Sequence, residues 1–370
     1  MKATRTAIVT AAAAAMIVAS AGAATTTFVA APASADHAIM LVANGNSDSS
    51  SGGGSNQNDN TSRNNKNKAS QSGGGSASNK NTDSSRNDNN ASAKGGGSVA
   101  SNENTKSDSN DNGAKATGGG TATNKNTGGK VPGTRGGNNL NTAESDGAGS
   151  QSTNTIAGSN NDSNAKSTGG GKARNNVTGN NNGSLHAEAN GAGTQGTNKI
   201  VGDNNNTDSK ANGTNSIANA EVTGNGNDID TRADRTDAGT AQTTAKGTAF
   251  GDDNKLNAEA KNGGTAKSQT GTSTKSVTGS KANSIAEGSN SAATSTVTAD
   301  NAKAESEAHS GGTATASVSR PNTYAKAYAV GGASANASVG ATAAADTATT
   351  SCSGGGHAVA STSTGKFSFC

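Results

Sequence analysis

Ile156-Ala157-Gly158-Ser159-Asn160-Asn161 is followed by Val177-Thr178-Gly179-Asn180-Asn181-Asn182, then by Val201-Gly202-Asp203-Asn204-Asn205 and Val222-Thr223-Gly224-Asn225-Gly226-Asn227. Each copy is an apolar residue close to a glycine and an Asn-rich turn. The glycines stand 21, 23 and 22 residues apart; a fifth copy, Phe250-Gly251-Asp252-Asp253-Asn254, arrives after 27, as though one turn carried an insertion. Gly and Asn both accept positive φ, which sharp corners need. Between the turns run short alternating stretches, such as Leu185-His186-Ala187-Glu188-Ala189 and Leu256-Asn257-Ala258-Glu259-Ala260. Alternation has period two, so these are strands with one small apolar face. A unit of about 22 residues built from short strands and Gly/Asn corners is one coil of a β-solenoid. Stacking the coils predicts that Ile156, Val177, Val201 and Val222 form one inward row, while the corner residue Asn204 faces water.

Outward from this stretch the same period persists while the composition changes. Residues 43–139 are Asn, Ser, Gly, Lys and Asp, with Val99 and Val131 as their large apolar residues. Triple glycines begin at Gly52, Gly73, Gly95 and Gly118, spaced 21, 22 and 23 residues. With so little to bury, 36–139 is predicted to be largely disordered low-complexity repeat. Residues 140–350 are predicted to be an irregular, all-β solenoid. Its narrow interior would hold Ala, Thr and Val, and stacked Asn side chains can add hydrogen-bonded ladders. Residues 294–345 are rich in Ala, the best helix former, but their dense Thr, Ser and Gly favour strands.

The two ends differ from the repeats. Lys2 and Arg5 precede an Ala-rich apolar segment from Ala7 to Ala24, and Ala33-Ser34-Ala35 supplies small residues at both positions of a signal-peptidase site. Residues 1–35 therefore read as a secretory signal cut before Asp36. No second long apolar run follows, so no stable membrane span is expected after its removal. At the other end Cys352 and Cys370 are the chain's two cysteines, an even pair that in an exported chain reads as a disulfide closing a hairpin over 351–370.

From Asp36 onward there are 6 Ile, 4 Leu, 12 Val and 3 Phe in 335 residues. That is far below the roughly 20% at which chains usually build a globular core, so an ordinary enzyme-like domain is excluded. The same stretch carries 28 basic and 27 acidic residues, scattered singly, and too few aromatics for base stacking; nucleic acid is not an expected partner.

Several strings imitate chemistry. Gly191-Ala192-Gly193-Thr194-Gln195-Gly196 fits G-x-G-x-x-G but lies between no buried strand and helix. Asp108-Ser109-Asn110-Asp111-Asn112-Gly113 begins like a calcium loop, yet Gly119 stands where the bidentate Glu is required. Ser163 and Lys166 fit S-x-x-K without companion motifs. His37, His186, His309 and His357 show no metal-ligand spacing. No catalytic constellation, metal site or cofactor is implied.

In its Ala-rich signal, its Gly/Asn/Thr/Ala repeats and its Cys352–Cys370 loop, the chain resembles the secreted low-complexity repeat proteins of high-GC Gram-positive bacteria. The resemblance is compositional and implies no activity. The expected function is that of a non-enzymatic secreted or cell-surface spacer, with the cell envelope or further copies of itself as partner classes. The alternatives are an adhesin-like binder and an ice- or surface-lattice-binding solenoid. The latter would use Thr272 and Thr274, Thr294 and Thr296, and Thr313 and Thr315 as stacked ranks.

Overall fold

A computed structural model describes residues 26–29, 37–40, 46–50, 55–60, 66–82, 87–105, 111–127, 139–157, 161–178, 183–191, 193–201, 206–213, 215–223, 228–234, 243–250, 255–262, 264–270, 281–288, 292–298, 303–310, 313–319, 324–331, 334–339, 347–354, 357–361 and 366–367. Among these every regular element is a strand. Each coil consists of a leading strand, a tight corner, a trailing strand and a loop into the next coil. Within each compact unit leading strands pair in parallel with leading strands and trailing with trailing, which makes two parallel sheets. The fold is the β-solenoid expected from the period of about 22 residues. The signal-cleavage residues Ala33, Ala35 and Asp36 lie outside the described residues. Among the described residues no helix is long and apolar enough to cross a membrane.

The chain forms two compact units, Met1–Gly183 and Ser184–Cys370. In the first, the full-length leading strands are Lys66–Ser72, Asp88–Lys94, Asp111–Thr117, Asn139–Asp146 and Asn161–Thr168. The matching trailing strands are Ser76–Thr82, Val99–Thr105, Thr121–Thr127, Gln151–Ala157 and Lys172–Thr178. Most of these lie inside 36–139, so the solenoid extends further towards the N-terminus than the sequence reading placed it. The reason is what fills the interior. Alternate residues point inward, and in these coils they are mainly Ala and Asn: Asn67, Ala69, Ala91, Asn79, Asn102 and Asn124 are all buried. Counting large apolar side chains missed a core made of methyl groups and paired amides.

The amides stack in register. Asn79, Asn102, Asn124, Asn154 and Asn175 form one column on the trailing sheet, each Nδ2 donating to the next Oδ1 at 2.9, 2.9, 3.0 and 3.0 Å. The same Nδ2 groups reach across the interior to backbone carbonyls of the leading sheet. Asn79 donates to Asn90 O at 2.9 Å, Asn102 to Gly113 O at 2.7 Å and Asn124 to Thr142 O at 2.7 Å. A second network interleaves Asn67, Asn89 and Asn112 of the leading sheet with Asn81 and Asn104 of the trailing sheet, at 2.6 to 3.2 Å. A buried amide is expensive unless both its donor and its acceptor are used, and stacking at the coil period uses both.

This second network ends where the composition changes. In its trailing column Asn126 is followed in register by Ile156 and then Val177. Asn126, with no second amide above it, keeps both side-chain polar atoms buried and unpaired, as does the Nδ2 of Asn141. Those rungs mark a junction between a polar and an apolar interior.

In the second unit the leading strands run from Ser184–Asn190 to Thr347–Ser351 and the trailing strands from Gln195–Val201 to Ala358–Ser361. The inward residues are now Leu185, Ile229, Leu256, Val222, Val297 and many Ala. Serine takes over the cross-interior contact: Ser268 Oγ donates to Asn283 O at 2.6 Å and Ser284 Oγ to Thr294 O at 2.7 Å. A serine that reaches the facing backbone requires the sheets to lie close, which small inward residues allow. Where the leading sheet is bulky the trailing sheet is bare. A Cβ on Gly247 would already sit 3.5 Å from Ile229 Cγ2 and 3.6 Å from Leu256 Cδ2.

One inward residue differs from expectation. Ile156 and Val177 are buried and pair in register, but Val201 points outward and is 44% exposed, and Ile200 takes the inward place, paired with Val222. Ile200-Val201 offers two adjacent β-branched residues, and the glycine spacing does not say which one fits the pleat; the inter-strand register does. Asn204 lies outside the described residues.

The corners explain the triple glycines. Gly73, Gly74, Gly95, Gly118 and Gly119 all have positive φ. Successive corners stack so closely that a Cβ on Gly95 would lie 2.4 Å from the backbone N of Gly74. At the C-terminal end Ala358–Ser361 pairs antiparallel with Lys366–Phe367. Cys370 lies outside the described residues.

Candidate functional site

Because the interior is closed by its own side chains, chemistry has to be sought on the outward columns. Each coil places one residue beside its counterpart in the next, so outward residues form rows along the stack. The leading face carries most of the charge. In the second unit Lys255, Lys281 and Lys303 share a column that continues to Tyr324. Cross-coil ion pairs are common there: Arg232 Nε to Glu259 at 2.9 Å, Lys255 to Asp228 at 3.6 Å and Lys326 to Glu307 at 3.1 Å. The Lys326–Glu307 hydrogen bond raises the Lys326 pKa. On the leading face of the first unit Lys115 pairs with Glu144 at 3.2 Å. In the same unit Asp88 stands directly beside Asp111, whose carboxyl is raised above the usual range by burial and then by Asp88.

His186 has an acidic partner at each ring nitrogen. Its Nδ1 lies 3.1 Å from Asp208 and its Nε2 3.4 Å from Glu188. The hydrogen bond with Asp208 is the largest cause of its raised pKa, offset by partial burial. Asp230 follows Asp208 in the same column and is itself raised, by burial first and then by Asp208. Period and strand register bring these residues together from three coils; linear spacing between His186, Asp208 and Asp230 carries no motif. Among the described residues no group of three or more His, Cys, Asp or Glu is arranged to hold a metal ion. Gly191 and Gly193 form a corner with positive φ, and Gly196 faces inward, where a Cβ would meet Lys210 O at 2.4 Å. These three glycines serve coil packing, and no helix follows them.

The trailing face is different. The outward residues of Ala292–Val297, Thr313–Val318 and Ala335–Val339 are Ala292, Thr294, Thr296, Thr313, Thr315, Ser317, Asn336 and Ser338, all uncharged. The sequence-derived Thr ranks are only partly brought together. Thr294 sits beside Thr315, but Thr296 faces Ser317 and Thr313 faces Ala292. Thr272 and Thr274 lie outside the described residues. Of the expected disulfide residues, Cys352 follows the strand Thr347–Ser351 and Cys370 is not described.

Compared with known proteins, the chain matches no family, no curated protein and no solved structure.

Proposed function

We propose that this chain is a non-enzymatic extracellular repeat protein that acts as a structural spacer or surface component. It would be exported through residues 1–35 and closed at its end by a Cys352–Cys370 disulfide. The observation that carries the reading is the residue-for-residue parallel register from coil to coil, seen for example across Thr121–Thr127 and Gln151–Ala157. Such a stack turns a short repeat into ordered rows of side chains on a hydrated surface. Most of its buried amides pair with one another or with backbone carbonyls inside the stack, which supports a fold built from the repeat itself. Expression of the tagged full chain in a secreting host, with fractionation and mass spectrometry, tests it. The expected product lies outside the cytoplasm, starts at Asp36 and yields a Cys352–Cys370 peptide under non-reducing digestion. A cytoplasmic chain that retains Met1 would overturn it.

A second reading, binding to a regular lattice such as ice, is favoured by one observation: the uncharged Thr/Ser surface of the last trailing strands. Ice-recrystallisation inhibition by the purified chain, lost in Thr315→Lys, is its expected signature; a wild-type chain without inhibition removes it.

A further inference from the structure

Both tyrosines of the chain, Tyr324 and Tyr328, lie on the leading strand Tyr324–Ala329 of the second unit, and both occupy outward positions. Four residues along a strand put them about 13 Å apart. Although outward, both are only partly exposed. Lys303, the register neighbour of Tyr324, places its Nζ 5.4 Å from that ring's centroid. His309 meets Tyr328 edge-on, with centroids 5.7 Å apart and planes at 63°. On the other side of the strand the register sets Thr347 beside Tyr324, Thr349 beside Lys326 and Ser351 beside Tyr328, all three exposed. The result is a shelf of short hydroxyl side chains beside two partly exposed aromatic rings.

The charges between the rings are matched. Lys303 Nζ lies 2.7 Å from Glu305, and Lys326 Nζ donates to Glu307 at 3.1 Å. The strip therefore offers two partly exposed rings and a row of hydroxyls with little net charge.

We propose that this shelf binds an extended, neutral, β-linked polysaccharide. The C–H face of a sugar packs on an aromatic ring, its hydroxyl groups exchange hydrogen bonds with Thr347, Thr349 and Ser351, and a straight strand suits a straight polymer. A separation of about 13 Å is more than one sugar ring spans, so a polymer can engage both tyrosines where a monosaccharide cannot. The matched ion pairs remove the field that would select an anionic polymer. The proposal rests on the geometry of the second unit and is independent of the export reading.

Affinity electrophoresis of the full chain tests it, in gels containing hydroxyethyl cellulose or galactomannan as neutral β-linked polymers, dextran as an α-linked one and polygalacturonate as an anionic one. Retardation by hydroxyethyl cellulose or galactomannan, insensitive to added salt, is expected. Tyr324→Ala/Tyr328→Ala should weaken it about ten-fold or more, and Tyr324→Phe/Tyr328→Phe should retain most of it. Thr349→Arg, which keeps both rings and fills the shelf, should also lose it, so the test does not depend on the double alanine variant folding. Retardation by neither neutral β-linked polymer, retardation by polygalacturonate alone, or undiminished binding in both Tyr324→Ala/Tyr328→Ala and Thr349→Arg would overturn the assignment.

Discussion

Replacing Asn102 by Asp changes a single NH2 group to an oxygen inside the amide column. Asn102 is 1% exposed; its Nδ2 donates to Gly113 O at 2.7 Å and to Asn124 Oδ1 at 2.9 Å, while its Oδ1 accepts from Asn79 at 2.9 Å. In the variant the accepting bond from Asn79 survives, but a carboxylate oxygen would face three other oxygens, Gly113 O, Asn124 Oδ1 and, at 3.4 Å, Asn89 O, with no hydrogen between them. Stranding the Asn124 acceptor costs about 1–3 kcal/mol, and burying an uncompensated carboxylate costs several more. The loss at neutral pH should be at least about 4 kcal/mol, a large part of the stability of a typical domain. Burial raises the pKa of such a carboxyl above its unfolded value. The penalty is therefore present above the folded pKa and falls away as the pH drops towards the ordinary Asp range. A protonated carboxyl can donate once, so near pH 4 the deficit should shrink to about 1–2 kcal/mol. Asn90→Asp makes the same charge change at an exposed position of the adjoining leading strand and serves as the control. Urea midpoints at pH 7 and pH 4, with protease mapping of residues 88–127, provide the readout. Equal midpoints for the two variants at pH 7, or a deficit that does not shrink on acidification, would refute the buried amide column.

Three further outcomes follow from the same structure. Ile200→Asp should open the coils around 184–234 to protease while its neighbour Val201→Asp leaves them resistant, because the first is buried and the second is 44% exposed; the reverse pattern would place the strand in the other register. Asn126→Val should raise the urea midpoint, since it removes two buried unpaired polar atoms beside Ile156, each worth about 1–3 kcal/mol when stranded; a fall in the midpoint would show those atoms to be satisfied. The raised pKa of His186 means that its contacts with Asp208 and Glu188 contribute fully below the ordinary value of 6.5 and fade as the pH rises through the folded value. His186→Gln should therefore flatten a small stability gain seen on acidification through this range. The size is limited by solvent screening at a half-buried site, and an unchanged pH profile would count against the cluster.

The period of about 22 residues and the all-β class were legible in the sequence, because alternation is local and selects strand, while Gly158, Gly179, Gly202 and Gly224, which the sequence reading took as corners, lie outside the described residues. Three matters belonged to the tertiary structure alone. Whether residues 66–127 can fold depended on pairing amides between coils, since an Asn is a cost when buried singly and a member of the core when stacked at 2.9 Å on its counterpart. The choice between Ile200 and Val201 depended on register, where a slip of one residue exchanges inside for outside. The outward groupings of His186 with Asp208 and of Tyr324 with Thr347 depended on which coil lies against which, because residues about 22 apart in the chain become neighbours only when the coils stack.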